Sequence, residues 1–283
     1  MNNTVFQDTE EIDRLAVQFR LLLPYEQALF DKIFDGKKKQ NVLDIGCNDG
    51  TKTFRLFSGD SVSKIIGLEY SDQLAEKAQQ KYGSASFSFY QCDVDSPDFS
   101  EKIRVIMQEN DIESFDVIYI SFVLMHLNNP KALLSSLREF LSPNGCLVSI
   151  EANDRASILK PDEDHLLDEF LDMLEVDPYA GNRNTGSVVP TYLQESGYED
   201  VCIDTDLITA GVDETQKKND IFETFFSYFP KDVELLLQEE PNSPCYNQWA
   251  EWLKNKYKLL EFAVLNASAE ISMGVRILSC KRG

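Results

Sequence analysis

The sequence predicts a doubly wound α/β protein: a mostly parallel, seven-stranded sheet with N-terminal helices and a helical cap insertion. Three observations carry this expectation. Between residues 41 and 151, short β-branched and aromatic runs alternate with stretches of helical periodicity, the pattern of a parallel sheet with helices on both faces. The first of those runs, NVLDIGCNDG at residues 41–50, goes from apolar strand to glycine-bearing turn and then to a helix start. After Glu151 the alternation stops, and aromatic-rich helical segments lead to a last strand over about 270–280.

Taken in order, residues 8–35 read as helical: Ile12, Leu15, Ala16, Phe19, Leu22 and Leu23 recur at helical spacing. Pro24 predicts a break, with a second helix over about 25–34. Lys37, Lys38 and Lys39 precede the first strand, 41–46, where Val42, Leu43 and Ile45 surround Asp44. A helix to about residue 57 follows. Strands are then expected at 64–69, 86–91, 115–121 and 145–151, and helices at 71–81, 98–109 and 130–141. Ser71 is suited to cap its helix, and Pro130 to open the next. Beyond Glu151 we expect a loop at 153–160, helices at 161–174 and 185–196, and a strand at 201–206. Helical segments follow over 210–264, with Trp249 and Trp252 in the last of them. The corresponding domain division is N-terminal helices at 1–40, an α/β domain at 41–206 plus 265–283, and a cap at 207–264.

Composition excludes several function classes. Apolar residues make up 43% and charged residues 27%, ordinary values for a globular chain able to bury a sizeable core. No apolar run approaches membrane-spanning length, and the acidic N-terminus MNNTVFQDTEE lacks the apolar core of a secretion signal. Six cysteines stand singly, with no C-x-x-C spacing and only two histidines, so no metal site is expected. Their apolar surroundings predict buried, reduced thiols in a cytoplasmic protein. The net charge of −21 opposes a nucleic-acid partner, whose affinity would come from neutralised phosphates. Residues 151–240 concentrate the acid, with 23 Asp and Glu against 6 Lys and Arg. That stretch reads either as a solvated surface or as an entrance favouring cationic and neutral substrates.

The motif set resembles that of class I S-adenosylmethionine-dependent methyltransferases. DIGCNDG at 44–50, an acid ending the second strand (Glu69), an acid after the third (Asp93) and LSPNG at 141–145 together carry the resemblance. Glu11, Arg14, Leu15 and Gln18 also resemble the lead-in helix of UbiE-like small-molecule methyltransferases. The resemblance covers about residues 10–206 and the last strand, and implies a Rossmann-like methyltransferase fold with S-adenosylmethionine as cofactor. It assigns the turn Gly46, Cys47, Asn48 and Gly50 to close backbone approach, and Asp44 to the ligand's ammonium. Glu69 takes the two ribose hydroxyls. Asp93 and the Val94 N–H face the adenine, with Tyr70 flanking it. Ser121 and Phe122 line the methionine portion, and Gln18 covers the ligand. Asn48 stands where the family often has glycine; asparagine tolerates the left-handed backbone such a turn needs. The missing G-x-G-x-x-G argues against a nicotinamide cofactor.

Each assignment has a simpler counterpart. Asp44 could cap its turn, Glu69 could be a surface acid, and Asp93 could be a turn former. Their occurrence at successive strand ends favours the shared ligand. His126 is the candidate general base, on its ordinary titration range and its place after the fourth strand, but a packing histidine fits as well. His165 reads as solvent-exposed. Glu151 and Asp154, at the end of the fifth strand, are candidates for substrate contact or loop capping. The aromatics at 222–229, with Tyr179, suit either a cap core or an apolar roof over a small substrate. The expected reaction is methyl transfer to a small-molecule O, N or C nucleophile. The alternatives are a protein or peptide methyltransferase and a non-catalytic S-adenosylmethionine-binding regulator.

Overall fold

The apolar runs of residues 41–151 form strands buried on both faces. Val42, Leu43 and Ile45 of the first, and Ile65, Ile66 and Leu68 of the second, are all inaccessible to solvent or nearly so, as a parallel sheet covered by helices requires. The computed structural model describes residues 9–37 and 39–283; Lys38 of the basic run and the acidic opening segment through Asp8 lie outside the described residues. In chain order the first half contains α1 (Thr9–Phe34), β1 (Gln40–Ile45), α2 (Thr51–Phe57), β2 (Val62–Glu69), α3 (Asp72–Tyr82), β3 (Phe87–Gln91), α4 (Phe99–Glu109), β4 (Phe115–Ser121), α5 (Pro130–Leu137) and β5 (Leu141–Ala152). The second half contains β6 (Ile158–Lys160), α6 (Leu166–Glu175), α7 (Thr185–Glu195), β7 (Glu199–Ala210), α8 (Thr215–Phe225), α9 (Phe229–Glu239), α10 (Pro244–Trp252), α11 (Lys258–Leu265) and β8 (Glu270–Lys281).

These elements form two compact units. The α/β unit comprises Tyr25–Ala152, Asn184–Asp206 and Val275–Gly283. Its strand order is β3-β2-β1-β4-β5-β8. The first five strands run parallel, with Leu43 registered against Ile66 on one side and Ile118 on the other. β8 is antiparallel to β5, pairing Ile150 with Ile277. The chain enters at β1 and winds outward both ways, so the β1–β4 junction is the switch point where such sheets bind ligands. The core on one face joins Ile103, Leu134, Leu137 and Leu193 to the strands. On the other, Phe30, Phe57 and Tyr119 meet edge to face at 4.9–5.7 Å. Ser71 caps α3 through the Leu74 N–H, and Asn129 caps α5 with Pro130 at its first turn.

The second unit comprises the described residues through Pro24, Asn153–Arg183 and Leu207–Gly274. Its core is aromatic: Phe170 packs on Phe226, Phe229 and Trp252, and Trp249 on Phe229. Phe222, Phe225, Phe226 and Phe229 are buried, which gives the 222–229 group its role as core. Here the first residues of β8 pair with β6.

Several sequence expectations are corrected. Pro24 does not end the first helix; α1 runs through it, because proline removes a single backbone donor and Leu21, Leu22, Leu29 and Phe30 on either side are all buried. The expected loop at 153–160 contains a 3₁₀ turn and β6, which makes eight strands rather than seven. The helix expected from residue 161 starts at Leu166, and that expected to 141 ends at Leu137, followed by a 3₁₀ turn. β5 therefore begins at Leu141, and β7 extends over Glu199–Ala210. Trp249 and Trp252 lie on α10, with α11 still to follow. The two compact units divide at Pro24, with Asn153–Arg183 in the helical one. All six cysteines are free thiols, but Cys202 and Cys245 are exposed. No helix among the described residues is long and apolar enough to cross a membrane.

Candidate functional site

At the carboxyl end of β1 the backbone turns through three left-handed residues, Gly46 (φ 75°), Asn48 (φ 51°) and Gly50 (φ 74°). Gly46 is exposed, and a Cβ there would lie 2.3 Å from the Val123 Cγ2. Only glycine fits, and the bare backbone is left open to a ligand. Asn48 takes the left-handed conformation that its residue type permits. Its side chain accepts the Asp49 N–H at 2.7 Å, and Asp49 in turn accepts the Thr51 N–H at 3.0 Å, fixing the entry into α2.

Glu69, the last residue of β2, is bound to this turn. One carboxylate oxygen accepts the Asn48 N–H at 2.9 Å and the other the Ser71 N–H at 3.0 Å. Each oxygen retains a second lone pair, so the half-buried carboxylate is fixed in direction yet can still accept two hydroxyls. Burial pushes its pKa up, against the backbone N–H groups of Ser71, Asn48 and Tyr70, which hold it down. Asp44, one residue before the end of β1, is buried and accepts the Thr53 hydroxyl at 2.6 Å. Desolvation raises its pKa to about 7; the Thr53 hydrogen bond and the Lys52 charge oppose this, and Glu26 and Glu69 reinforce it.

Asp93 follows β3. One oxygen accepts the Asp95 N–H at 3.0 Å, the turn-forming role, while the other has no partner among the described residues. Val94 packs on the core beside it. Tyr70 is 45% exposed. At the end of β4, Phe122 adopts φ 54°, a conformation that a bulky side chain tolerates only where its surroundings enforce it. Its N–H donates to the Ile150 carbonyl at 2.7 Å. Cys47 is buried, and burial raises its thiol well above the ordinary range. The strand ends thus bring together Asp44, Gly46, Cys47, Asn48, Gly50, Glu69 and Tyr70 around one switch point, with Asp93, Val94, Ser121 and Phe122 at the neighbouring strand ends. Gln18 is half-buried on the part of α1 that belongs to the second unit.

His126 closes a 3₁₀ turn after β4, half-buried, with its N–H on the Val123 carbonyl at 3.0 Å. Glu151 is buried and accepts the Leu124 N–H of the same turn at 2.9 Å, an anchoring role. Asp154 is held in the second unit by a buried, two-point ion pair with Arg183, at 2.8 and 3.1 Å. Glu11 and Arg14 pair with each other through two bonds of 2.7 Å. Tyr179 donates to Glu239 at 2.9 Å, and His165 is exposed.

Sequence reading missed three residues in the α/β unit, Lys52, Glu26 and Tyr119. Lys52 forms an ion pair with Glu26 at 2.7 Å and donates to Ser121 at 3.0 Å, and Tyr119 donates to Glu26 at 2.5 Å. Lys52 was findable, two places after Gly50. Glu26 was not, since nothing in the spacing links α1 to β4.

Residues 43–147 match the family described as methyltransferase domain. Over this stretch the chain is similar to methyltransferase domains. The chain is 32% identical over 116 residues to an uncharacterized protein of Haemophilus influenzae, a match covering 39% of this chain and 41% of that one. It is 28% identical over 114 residues to the demethylmenaquinone methyltransferase of Chlamydia felis, covering 40% and 45%. These matches span less than half the length of each relative. In fold the chain is similar to the YcgJ protein of Bacillus subtilis, with a TM-score of 0.53 at 17% identity over 91% of this chain and 98% of that one.

Proposed function

We propose that this protein transfers a methyl group from S-adenosylmethionine to a small-molecule O, N or C nucleophile. The observation that carries the reading is the Glu69 carboxylate, tied by both oxygens to the glycine turn and to the start of α3 and still able to accept a pair of ribose hydroxyls. The exposed left-handed Gly46 supplies the open backbone such a ligand needs. When bound, S-adenosylmethionine supplies an electrophilic methyl group on a sulfonium centre and leaves as S-adenosylhomocysteine.

The residues of the chain do the holding. Glu69 fixes the ribose, Asp93 and Val94 the adenine, and Asp44 the ammonium; Tyr70, Ser121 and Phe122 flank the two ends. With an activated donor, alignment and exclusion of water contribute most of the acceleration. His126 serves as base only for an acceptor that must lose its proton early. The charge of −21 opposes a nucleic-acid acceptor, and the demethylmenaquinone methyltransferase relative is in keeping with a small organic one. Six free thiols suit a reducing cytoplasm. The acidic 151–240 stretch keeps a second reading open, a basic peptide acceptor.

Calorimetry with S-adenosylhomocysteine tests the reading. Binding is expected in the wild type, and Glu69→Ala should weaken it on the order of 100-fold through the loss of two hydrogen bonds to a charged acceptor. Unchanged binding in that variant would refute the assignment. Screening metabolite fractions and basic peptides for S-adenosylhomocysteine release then separates the two acceptor classes.

A further inference from the structure

The helical unit buries more acid than its own cations neutralise. Glu11 and Arg14 on α1, Asp154 after β5, Asp177 and Arg183 between α6 and α7, and Asp232 on α9 form one charged cluster. The charges of Arg183, Asp154, Arg14 and Asp232 all reach the Tyr228 hydroxyl, and those of Asp177, Glu11 and Arg14 reach Asp232. Both guanidinium groups are committed. Arg14 gives two bonds of 2.7 Å to Glu11 and one of 2.8 Å to the Thr224 carbonyl, with its guanidinium carbon 5.2 Å from the Tyr228 ring centroid. Arg183 is held at two points by Asp154.

Asp177 and Asp232 are left over. Each is 4% exposed. Asp177 Oδ1 accepts the Tyr179 N–H at 2.9 Å, while its Oδ2 has no partner among the described residues. Asp232 is influenced by burial and by charges alone, with no hydrogen bond on its carboxylate among the described residues. The Tyr228 hydroxyl and Thr224 Oγ1 are enclosed and unpartnered as well. A buried carboxylate without a partner is unfavourable. Burial and the charges of Asp177 and Glu11 raise the Asp232 pKa to about 8, against Arg14 and Lys231.

The cluster calls for a positive charge that also donates hydrogen bonds. Water donates but is neutral. A metal ion needs several converging ligands, and no three histidines, cysteines or acids among the described residues are placed to hold one. An ammonium group brings one charge and three donors. Phe229 and Leu236, three places before and four after Asp232, are buried on the same side of α9, so apolar surface lies beside the acid for an aliphatic stem.

We infer that the helical unit binds the ammonium group of a small aliphatic amine at Asp232 and Asp177, with the Tyr228 hydroxyl as a further acceptor. The cofactor reading is not used here, because every one of these residues belongs to the helical unit.

Calorimetry on the full chain near pH 7 compares n-butylammonium with butan-1-ol, in roughly 0.5 M salt to screen exposed acids. The wild type should favour the ammonium by about tenfold or more, the scale of a charge-assisted contact. Asp232→Asn should bring the two ligands to within about twofold of each other, since the charged acceptor is gone. That variant should also melt at or above the wild-type temperature, because it removes a buried charge that has no partner in the fold; a clear loss of stability would assign Asp232 to the fold and overturn the inference. If Asp232→Asn does not fold, Asp177→Asn gives the same comparison, its Oδ1 still able to accept the Tyr179 N–H. A wild type that binds neither ligand, or both equally, overturns the inference. So does a preference that survives both substitutions, which would place the binding on surface acid. Mg²⁺ that displaces n-butylammonium, and loses its own binding in the same variants, overturns the choice of an organic cation.

Discussion

The strand-end acids of the α/β unit and the Asp154–Arg183 pair of the helical unit are held in opposite ways. In the α/β unit the acids at the strand ends are anchored by backbone N–H groups or a hydroxyl: Glu69 by Asn48 and Ser71, Asp44 by Thr53. In the helical unit buried charges meet each other, Asp154 with Arg183 and Glu11 with Arg14. A carboxylate held by neutral donors keeps its spare lone pairs for a ligand. One locked to a guanidinium has spent them on the fold. The difference separates acids poised to bind from acids that hold a structure together, although their burial is similar.

The largest effect should come from breaking the second arrangement. Asp154→Ala leaves the Arg183 guanidinium buried without its partner, and should cost about 3–5 kcal/mol in denaturant unfolding. Replacing both members by apolar residues of similar size should restore most of that stability. A loss below about 1 kcal/mol in the single variant would mean that the pair is not buried in solution.

Gly46→Ala tests the first arrangement. The new Cβ would require φ 75° and a 2.3 Å approach to Val123. A stability loss of at least about 1–2 kcal/mol is expected from the backbone alone, with S-adenosylhomocysteine binding weakened more than tenfold. Binding at wild-type strength would show that the turn is not where the ligand sits.

The smallest and most discriminating effect is in pH. In the free protein Asp44 titrates near 7, because desolvation outweighs its contacts. A ligand ammonium would hold it ionised, so binding should release a proton. Affinity should rise toward pH 7, by at most about tenfold per unit, and level off above it. The unliganded protein should behave oppositely. The native state keeps a proton that the unfolded chain has already lost, so Asp44 lowers stability as pH climbs from about 4 to about 7, with no further change above. A pH-independent affinity between 5.5 and 8 would exclude Asp44 from the ammonium contact.

The contrast also explains what was legible in the sequence. Strand ends are periodic landmarks, so Asp44, Glu69 and Asp93 could be located by counting from apolar runs, and the Asn48 backbone followed from its residue type. Helical faces give no such landmark for long-range pairing. Arg183 and Asp154 are 29 residues apart, and Glu26 and Tyr119 are 93 apart. Pro24 misled because a local rule about one hydrogen bond was outweighed by burial on both sides of it. The loop expected at 153–160 hid β6, since three residues carry too little pattern to register as a strand.

The placement of β8 has a consequence for synthesis. It lies between β5 and β6 in the strand order, yet more than a hundred residues separate it from either. Until residues 270–281 have left the ribosome, β5 has one open edge and β6 has no neighbour. The nascent chain can form β1 to β5 early, but must protect an unpaired strand for the whole time needed to translate the helical unit. Closure of the sheet is therefore a late event of high contact order, and a chaperone that shields exposed strand edges should affect the yield of this protein more than its final stability.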